Sequence, residues 1–270
     1  MKAFFTDLDG TILNTEKEIA PGNRAAVEEA LAAGHKVIVA TGRPLSSAIA
    51  QAERLGLSGD GCYVISYNGG VMWDCGAGQI IHESHIPRAR VREVFAEAAR
   101  RGMHVQTYMG PDVIVETRCD DEEVRRYTNL TRMTFRVLPD IGELEIEPVK
   151  MLLIDFDDHA PLVVFRDWVL ETYSGELDSF FSSNAFLEIV PAGTNKGAAL
   201  LKMAELLGID PKDTVAAGDE ANDISMIRAA GVGACMVNGI PEAKAAADYV
   251  TAADNDHDGA AEIIRKFVLN

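Results

Sequence analysis

Short apolar runs that alternate with helical segments at both ends of the chain constrain its fold more than any other feature. Lys36–Ala40 reads KVIVA, a continuous β-branched run typical of strands that are buried on both faces of a parallel sheet. Comparable runs occupy residues 3–6, 63–66 and 213–217, and segments with helical spacing lie between them, including 24–33, 45–55 and 196–207. This alternation predicts an α/β fold whose core is a Rossmann-like, doubly wound parallel sheet.

The middle of the chain follows a different pattern, which predicts an inserted domain. Two pairs of apolar runs, 104–108 with 113–117 and 180–181 with 186–190, each flank a cluster of turn-forming residues. Such pairs are typical of β-hairpins, so we expect a mixed α+β module here. The predicted limits are 1–83 for the first part of the core, 84–188 for the inserted domain and 189–270 for the second part of the core.

Composition excludes several kinds of partner. The chain has 42 acidic against 25 basic residues, a formal net charge of −17, whereas nucleic-acid binding needs Lys and Arg to replace phosphate counterions. We therefore expect no nucleic acid and no anionic membrane surface as partner. No apolar run reaches the roughly 18 residues that a bilayer crossing needs. An acid at position 7 comes too early for a signal peptide, and four scattered cysteines fit a reduced, cytoplasmic protein.

Three polar segments follow predicted strands of the core. They are Asp7–Thr11 (DLDGT), Thr41–Arg43 (TGR) and Gly218–Asp223 (GDEAND). Because ligands of open parallel sheets bind at the carboxyl ends of the strands, we expect these segments to meet at one edge.

The acidic residues of these segments suit a hard metal ion. Asp7 and Asp9 lie two residues apart, and carboxylates this close repel one another unless a cation is near. With Asp219 and Asp223 they offer oxygen ligands, which favour Mg²⁺. The alternative for the first pair is a simple turn that ends the strand.

Two further segments suit a phosphate group. Thr41 and Gly42 offer a hydroxyl and an unhindered backbone N–H, although a helix N-cap would use the same residues. Lys196 lies in the first turn of a predicted helix, where its charge opposes the helix dipole. A residue that breaks a local rule indicates function, and the alternative is an ordinary solvated lysine.

Together these motifs resemble those of the haloacid dehalogenase superfamily, and more closely its Cof-type sugar-phosphatase branch. The four motifs occur in family order as DLDGT at 7–11, TGR at 41–43, NKG at 195–197 and GDEAND at 218–223. Two subsidiary matches are SYNGG at 66–70 and DNDHDG at 254–259. The resemblance covers nearly the whole chain, and it implies that the inserted domain is an α/β-type cap between the second and third motifs.

The resemblance also implies a mechanism. Asp7 is the expected nucleophile, which forms an aspartyl-phosphate, and Asp9 is the expected general acid and base. Dehalogenases of the superfamily lack the second Asp, so a phosphatase is implied. Mg²⁺ is expected on the Asp7 carboxylate, the Asp9 backbone carbonyl and Asp219, with Asp223 orienting the metal shell. The residues expected to hold the phosphoryl oxygens are Leu8, Thr41, Gly42, Lys196 and Asn222. The expected substrate is a small phosphomonoester.

The acidic stretch near the C-terminus imitates a calcium loop. Asp254, Asp256, Asp258 and Gly259 match its positions 1, 3, 5 and 6, but Arg265 stands where the bidentate Glu is required. We therefore predict a loop that caps the last helix.

Two alternatives to the phosphatase stay open. A phosphosugar mutase would pass the phosphoryl group to a second sugar position, and a non-catalytic regulator would bind a phosphosugar or a metal. Tyr108, Arg118, Asn184 and Glu188 are candidates for substrate selection on position alone. The role of Arg43 and the oligomeric state also stay open.

Overall fold

The computed structural model describes residues 1–109, 113–117, 122–131 and 133–270. The strands are β1 (Ala3–Thr6), β2 (Lys36–Ala40), β3 (Cys62–Ser66), β4 (Val71–Asp74), β5 (Gln79–Glu83), β6 (His104–Met109), β7 (Val113–Glu116), β8 (Thr134–Val137), β9 (Met151–Ile154), β10 (Leu177–Ser183), β11 (Phe186–Pro191), β12 (Thr214–Gly218), β13 (Val232–Cys235) and β14 (Tyr249–Val250).

The helices are α1 (Pro21–Ala32), α2 (Leu45–Arg54), α3 (Arg88–Arg101), α4 (Glu122–Thr131), α5 (Ala160–Thr172), α6 (Lys196–Leu207), α7 (Ile224–Ala229), α8 (Pro241–Ala246) and α9 (Gly259–Ile263). The chain divides into two compact units, a core unit (1–82 with 195–270) and an inserted unit (83–194). Within the described ranges, no helix combines the length and the apolar composition that a bilayer crossing requires.

The core unit is built on a sheet with the strand order β14-β13-β12-β1-β2-β3-β4-β5. Strand β1 lies in its interior and pairs in parallel with both β12 and β2, which confirms the predicted α/β core. The sheet is nevertheless mixed, because β4 runs antiparallel to β3. The turn at Tyr67–Gly70 returns the chain directly, and only an antiparallel strand can follow so short a connection.

Helices cover both faces of the core sheet, as the doubly wound pattern predicts. On β1 the side chain of Phe4 packs with Val27 of α1, whereas its neighbour Phe5 packs on the other face with Leu200 of α6. Both phenylalanines are fully buried. Burial of such a side chain stabilises the fold by about 1.5–3 kcal/mol, so this alternation fixes the register of the central strand.

The inserted unit contains a second sheet with the strand order β10-β11-β9-β6-β7-β8. Both predicted hairpins are confirmed, because β6 with β7 and β10 with β11 pair in antiparallel fashion. The predicted turn residues 110–112 lie outside the described residues. One face of this sheet packs against α3 and α5, where Phe95 and Phe165 meet Leu153 and Leu187. Strand β11 continues to Pro191 and ends its pairing with β10 there.

Candidate active site

The carboxyl ends of adjacent core strands bring the predicted segments together. Asp7 directly follows β1 and Asp219 follows β12, and the Asp7 backbone N–H donates to the Ala217 carbonyl at 3.0 Å, which extends the parallel ladder. Thr41 follows β2 on the other side of β1. The sheet therefore gathers the motifs at one edge, as the strand pattern predicts.

Three aspartates form a cluster at this edge. One carboxylate oxygen from each of Asp7, Asp219 and Asp223 lies within 4.8 Å of the others. All three residues are buried. The Asp9 carboxylate is not a member of this cluster.

Lys196 lies between two of these carboxylates. Its Nζ donates to Asp7 Oδ1 and to Asp223 Oδ1, both at 2.6 Å, and its side chain is 0% exposed. Burial disfavours the charge, but Asp223 and Asp7 outweigh it and hold the pKa of Lys196 above its usual range. The solvated-lysine alternative is therefore wrong.

The local sequence places this lysine at the start of α6. The Asn195 side chain accepts a hydrogen bond from the Ala198 N–H and caps the helix at the residue before Lys196. The ion pairs with the aspartates offset the unfavourable position of the lysine in the helix dipole.

The cluster carries more negative than positive charge. Burial raises the pKa of Asp7 to about 7, even though Lys196 opposes this shift. Burial likewise raises the pKa of Asp219 to about 6, against the hydrogen bond from Thr11. When all three carboxylates are ionised, they leave two charges that one ammonium does not compensate, and this oxygen donor set fits a divalent cation such as Mg²⁺.

Asp223 organises the loop that carries Asp219. Its Oδ2 accepts from the backbone N–H groups of Asp219 and Glu220, each at 3.0 Å, while its Oδ1 accepts from Lys196. A Cβ at Gly218 would overlap the Asp223 side chain, so the loop can close this tightly only on a glycine.

The residues after Asp9 also contact Asp219. Thr11 Oγ1 donates to Asp219 Oδ1 at 2.7 Å. Gly10 has a φ of +80°, and a Cβ there would collide with the same carboxylate. The turn and the acidic cluster, which the sequence presents as alternatives for this segment, therefore occur together.

Asp9 is held by two cations. Arg43 donates from Nε to Asp9 Oδ2 at 2.8 Å and from Nη2 to Oδ1 at 2.7 Å, and Lys17 Nζ donates to Oδ1 at 2.8 Å. Burial would raise the pKa of Asp9, but the hydrogen bonds from Arg43 and Lys17 hold it below its ordinary value. Through its two hydrogen bonds to Asp9, Arg43 is part of the site. Lys17 could not be identified from the sequence, because its contact depends on a left-handed backbone (φ +63°) at an ordinary lysine.

The predicted phosphate-binding residues lie around the same edge. Thr41 Oγ1 accepts from the Arg43 N–H at 3.2 Å, and it does not cap α2, which begins after Pro44 without a side-chain cap. Asn222 Nδ2 donates to Asn68 Oδ1 at 3.0 Å, and a Cβ at Gly42 would press on that same asparagine. The side chain of Leu8 is buried in the hydrophobic core, so only its backbone can serve a ligand.

The candidates in the inserted unit make internal contacts. The Tyr108 hydroxyl lies 2.9 Å from the Tyr127 hydroxyl, and Glu188 pairs with Lys150 at 2.8 Å. The Asn184 carbonyl lies 2.7 Å from His159 Nδ1. These contacts favour a structural role for Tyr108 and Glu188. Arg118 lies outside the described residues.

The prediction that the acidic loop caps the last helix is wrong for its side chains. Asp258 occupies the N-cap position of α9 in a left-handed conformation and makes no side-chain cap. Its carboxylate accepts instead from the Asn23 N–H at 2.8 Å, and Asp256 accepts from Thr15. The loop therefore binds the segment that follows Asp9.

The chain is similar to known proteins over nearly its whole length. Residues 4–264 match the family described as haloacid dehalogenase-like hydrolase. The chain is 32% identical to the 5-amino-6-(5-phospho-D-ribitylamino)uracil phosphatase YcsE of Bacillus subtilis, over 100% of this chain and 96% of that protein. A haloacid dehalogenase-like hydrolase from Bacteroides thetaiotaomicron superposes with a TM-score of 0.86 at 31% identity, over 98% of both chains. A structure described as a subclass IIB sugar phosphatase superposes with a TM-score of 0.80 at 25% identity, over 100% of both chains.

Proposed function

The chain belongs to the haloacid dehalogenase-like hydrolase family, and on that premise we propose that it is a Mg²⁺-dependent phosphatase of small phosphorylated metabolites, sugar phosphates among them. Named phosphatases among its relatives support the reaction class. The observation that carries the proposal is the buried Lys196, which contacts Asp7 and Asp223 beside Asp219 at the carboxyl edge of the sheet.

The metal requirement follows from the charge of this cluster. Asp7, Asp219 and the backbone carbonyl of Asp9 would hold Mg²⁺, while Asp223 would orient the set through its contacts to the Asp219 loop. A bound Mg²⁺ would offset charge on the transferring phosphoryl group. It would also help an anionic substrate to approach a chain with a net charge of −17.

The reaction proceeds in two displacements. An Asp7 carboxylate oxygen attacks phosphorus, the bond to the leaving alcohol breaks, and Asp9 gives its proton to the leaving oxygen. Water then attacks the phosphorus of the aspartyl-phosphate, Asp9 takes its proton, and inorganic phosphate leaves Asp7. Arg43 and Lys17 favour the ionised form of Asp9, which is the form that accepts a proton in the second displacement.

The remaining predicted residues bind the phosphoryl oxygens. Lys196 supplies a fixed charge, Thr41 a hydroxyl, Asn222 an amide, and Leu8 and Gly42 supply backbone N–H groups. We further propose that residues 84–188 form a cap domain and that residues 1–83 and 189–270 form the two parts of the core domain. A cap of this kind favours a small substrate, because it excludes water around the leaving group. The cytoplasmic location expected from cysteine usage stays a prediction.

A phosphate-release screen tests this function. Purified protein is incubated with sugar phosphates, nucleotides and pyridoxal phosphate, with and without Mg²⁺, and Asp7→Asn serves as the matched control. We expect release from several sugar phosphates that requires Mg²⁺ and is absent in the control. An isomerised hexose phosphate without free phosphate would favour the mutase. If no compound releases phosphate with Mg²⁺, the phosphatase proposal fails and the regulator gains support.

A further inference from the structure

We propose that Asn255 and Asp256, in the acidic loop 254–258, are positioning residues for the proton-transfer step. They hold a small hairpin at residues 13–19, and Lys17 of this hairpin contacts Asp9. The inference rests on the proposed function, which gives Asp9 its role in proton transfer. The acidic loop 254–258 belongs neither to the aspartate cluster nor to the predicted phosphate-binding residues, and in this proposal it supports Asp9.

The hairpin is a tight turn with its own hydrogen bonds. The Asn14 N–H donates to the Glu18 carbonyl at 2.8 Å, the Lys17 N–H donates to the Asn14 carbonyl at 2.9 Å, and Leu13 and Ile19 form an antiparallel bridge at its base. Lys17 adopts a φ of +63°, which costs a residue with a side chain about 1–2 kcal/mol. Contacts from outside the hairpin must offset this cost if Lys17 is to stay on Asp9.

The acidic loop supplies such contacts. Asp256 Oδ1 accepts from the Thr15 N–H at 2.7 Å, and its Oδ2 accepts from Thr15 Oγ1 at 2.8 Å. The buried Asn255 donates from Nδ2 to the Leu13 carbonyl at 3.1 Å. One anchor thus holds the turn of the hairpin and the other holds its base.

The same loop is tied to the aspartate cluster. The Asn255 N–H donates to Asn238 Oδ1 at 3.2 Å, and Asn238 Nδ2 donates to the carbonyl of Gly10 at 2.8 Å. Two residues beyond Asn238, the Ile240 N–H donates to the Asp219 carbonyl at 2.9 Å. Hydrogen bonds therefore connect the loop that holds the Lys17 hairpin to Gly10 and to Asp219, on the two sides of the site.

These contacts also explain why the loop is acidic. Backbone N–H groups of Thr15 and Asn23 occupy oxygens of Asp256 and Asp258. The carboxylates thus serve as acceptors for a segment more than 200 residues away in sequence, in place of calcium.

A double-mutant cycle tests the proposal. Asp256→Ala removes both contacts to Thr15, and Lys17→Met removes the ammonium from Asp9. We expect each change to lower kcat about tenfold while KM changes little, since a partner that orients a reacting group commonly contributes at this level. The double variant should lose no more than either single variant, because Asp256 acts through Lys17.

Two further variants separate positioning from general stability. Asp256→Asn keeps an oxygen that can accept from the Thr15 N–H, so it should recover part of kcat. His257→Ala removes an exposed side chain of the same loop that contacts only Asp254 among the hydrogen bonds described, so it should leave kcat unchanged. An unchanged kcat in Asp256→Ala, or losses that multiply in the double variant, would overturn the proposal.

Hydrogen exchange keeps the test independent of the reaction. If the wild-type protein releases no phosphate, the proposed function fails, but the amides of residues 14–18 still report on the hairpin. They should exchange faster in Asp256→Ala than in the wild type or in His257→Ala. Equal exchange in all three proteins would contradict the anchoring itself.

Discussion

The two units each bury a lysine, and the lysines differ in what surrounds them. In the inserted unit Lys150 is 3% exposed, pairs with Glu188 at 2.8 Å and lies 4.9 Å from the centre of the Tyr108 ring. The second Glu188 oxygen accepts from Ser182 Oγ at 2.8 Å. In the core unit Lys196 is 1% exposed and contacts Asp7 and Asp223 at 2.6 Å each, with Asp219 beside them.

The difference shows which buried charge indicates chemistry. The Lys150–Glu188 pair has no net charge. The attraction between its two buried charges offsets their desolvation, so the pair needs no ion from solution. The group around Lys196 has two uncompensated negative charges when its three carboxylates are ionised, and either protonation of a carboxyl group or a cation from solution must offset them. A buried lysine is thus a weak indicator of function, whereas a buried excess of carboxylates around one is a strong indicator.

The largest effect is expected from Lys196→Met. The change keeps the length of the side chain but removes the charge that stabilises the phosphoryl group, so kcat should fall about 10²–10³-fold. Steady-state phosphate release measures it, and circular dichroism checks that the fold is intact. A loss below about threefold would contradict the role of Lys196.

Lys150→Met should affect stability in place of turnover. It leaves Glu188 buried without its partner, so the free energy of unfolding should fall by about 3–5 kcal/mol while kcat stays near the wild-type value. The double change Lys150→Met with Glu188→Leu should recover most of the loss, because it removes both charges. Urea unfolding with parallel kinetics measures both quantities. If Lys150→Met lost as much kcat as Lys196→Met, the conclusion that only Lys196 takes part in the reaction would be contradicted.

The smallest effect concerns pH and Mg²⁺. The pKa of Asp219 is raised from 3.8 to about 6, so the folded protein without metal binds more protons than the unfolded chain within that window. Its stability should therefore fall as pH rises through the window. Mg²⁺ should remove this penalty and raise Tm by a few degrees more at about pH 7.5 than at about pH 5. In Asp219→Asn the rise in Tm caused by Mg²⁺ should differ less between the two pH values than it does in the wild type. An equal difference in both proteins would exclude Asp219 as its source.

Much of the site could be predicted because it depends on local sequence. Buried strands such as Lys36–Ala40 are recognisable in the sequence as apolar runs. In a parallel sheet, the residues that follow such strands lie at the same edge. Asp7, Thr41 and Asp219 could therefore be placed together from the strand pattern, whereas Lys196, 189 residues from Asp7, was joined to the site by the resemblance of its motif. The antiparallel strand β4 was not predicted, because Val71–Asp74 is a run of only four residues that ends in an aspartate.

The rest depends on contacts that no local pattern encodes. Lys150 precedes an apolar strand and resembles a surface residue until Glu188 of a neighbouring strand is placed beside it. Lys17 reaches Asp9 only through a left-handed turn, and Asp256 has a partner near the opposite end of the chain. These residues became visible through tertiary structure alone.

The central claim is that Asp7 is the residue that accepts the phosphoryl group. Asp9→Asn should slow the water step that needs a base, so phosphoenzyme should accumulate with Mg²⁺ when the substrate is p-nitrophenyl phosphate, whose leaving group departs without a proton from Asp9. Rapid acid quench followed by peptide mass spectrometry should find one phosphoryl group on the peptide that carries Asp7, and hydroxylamine should remove it. The same label on another residue, or its persistence when Asp7→Asn is added to the variant, would contradict the claim.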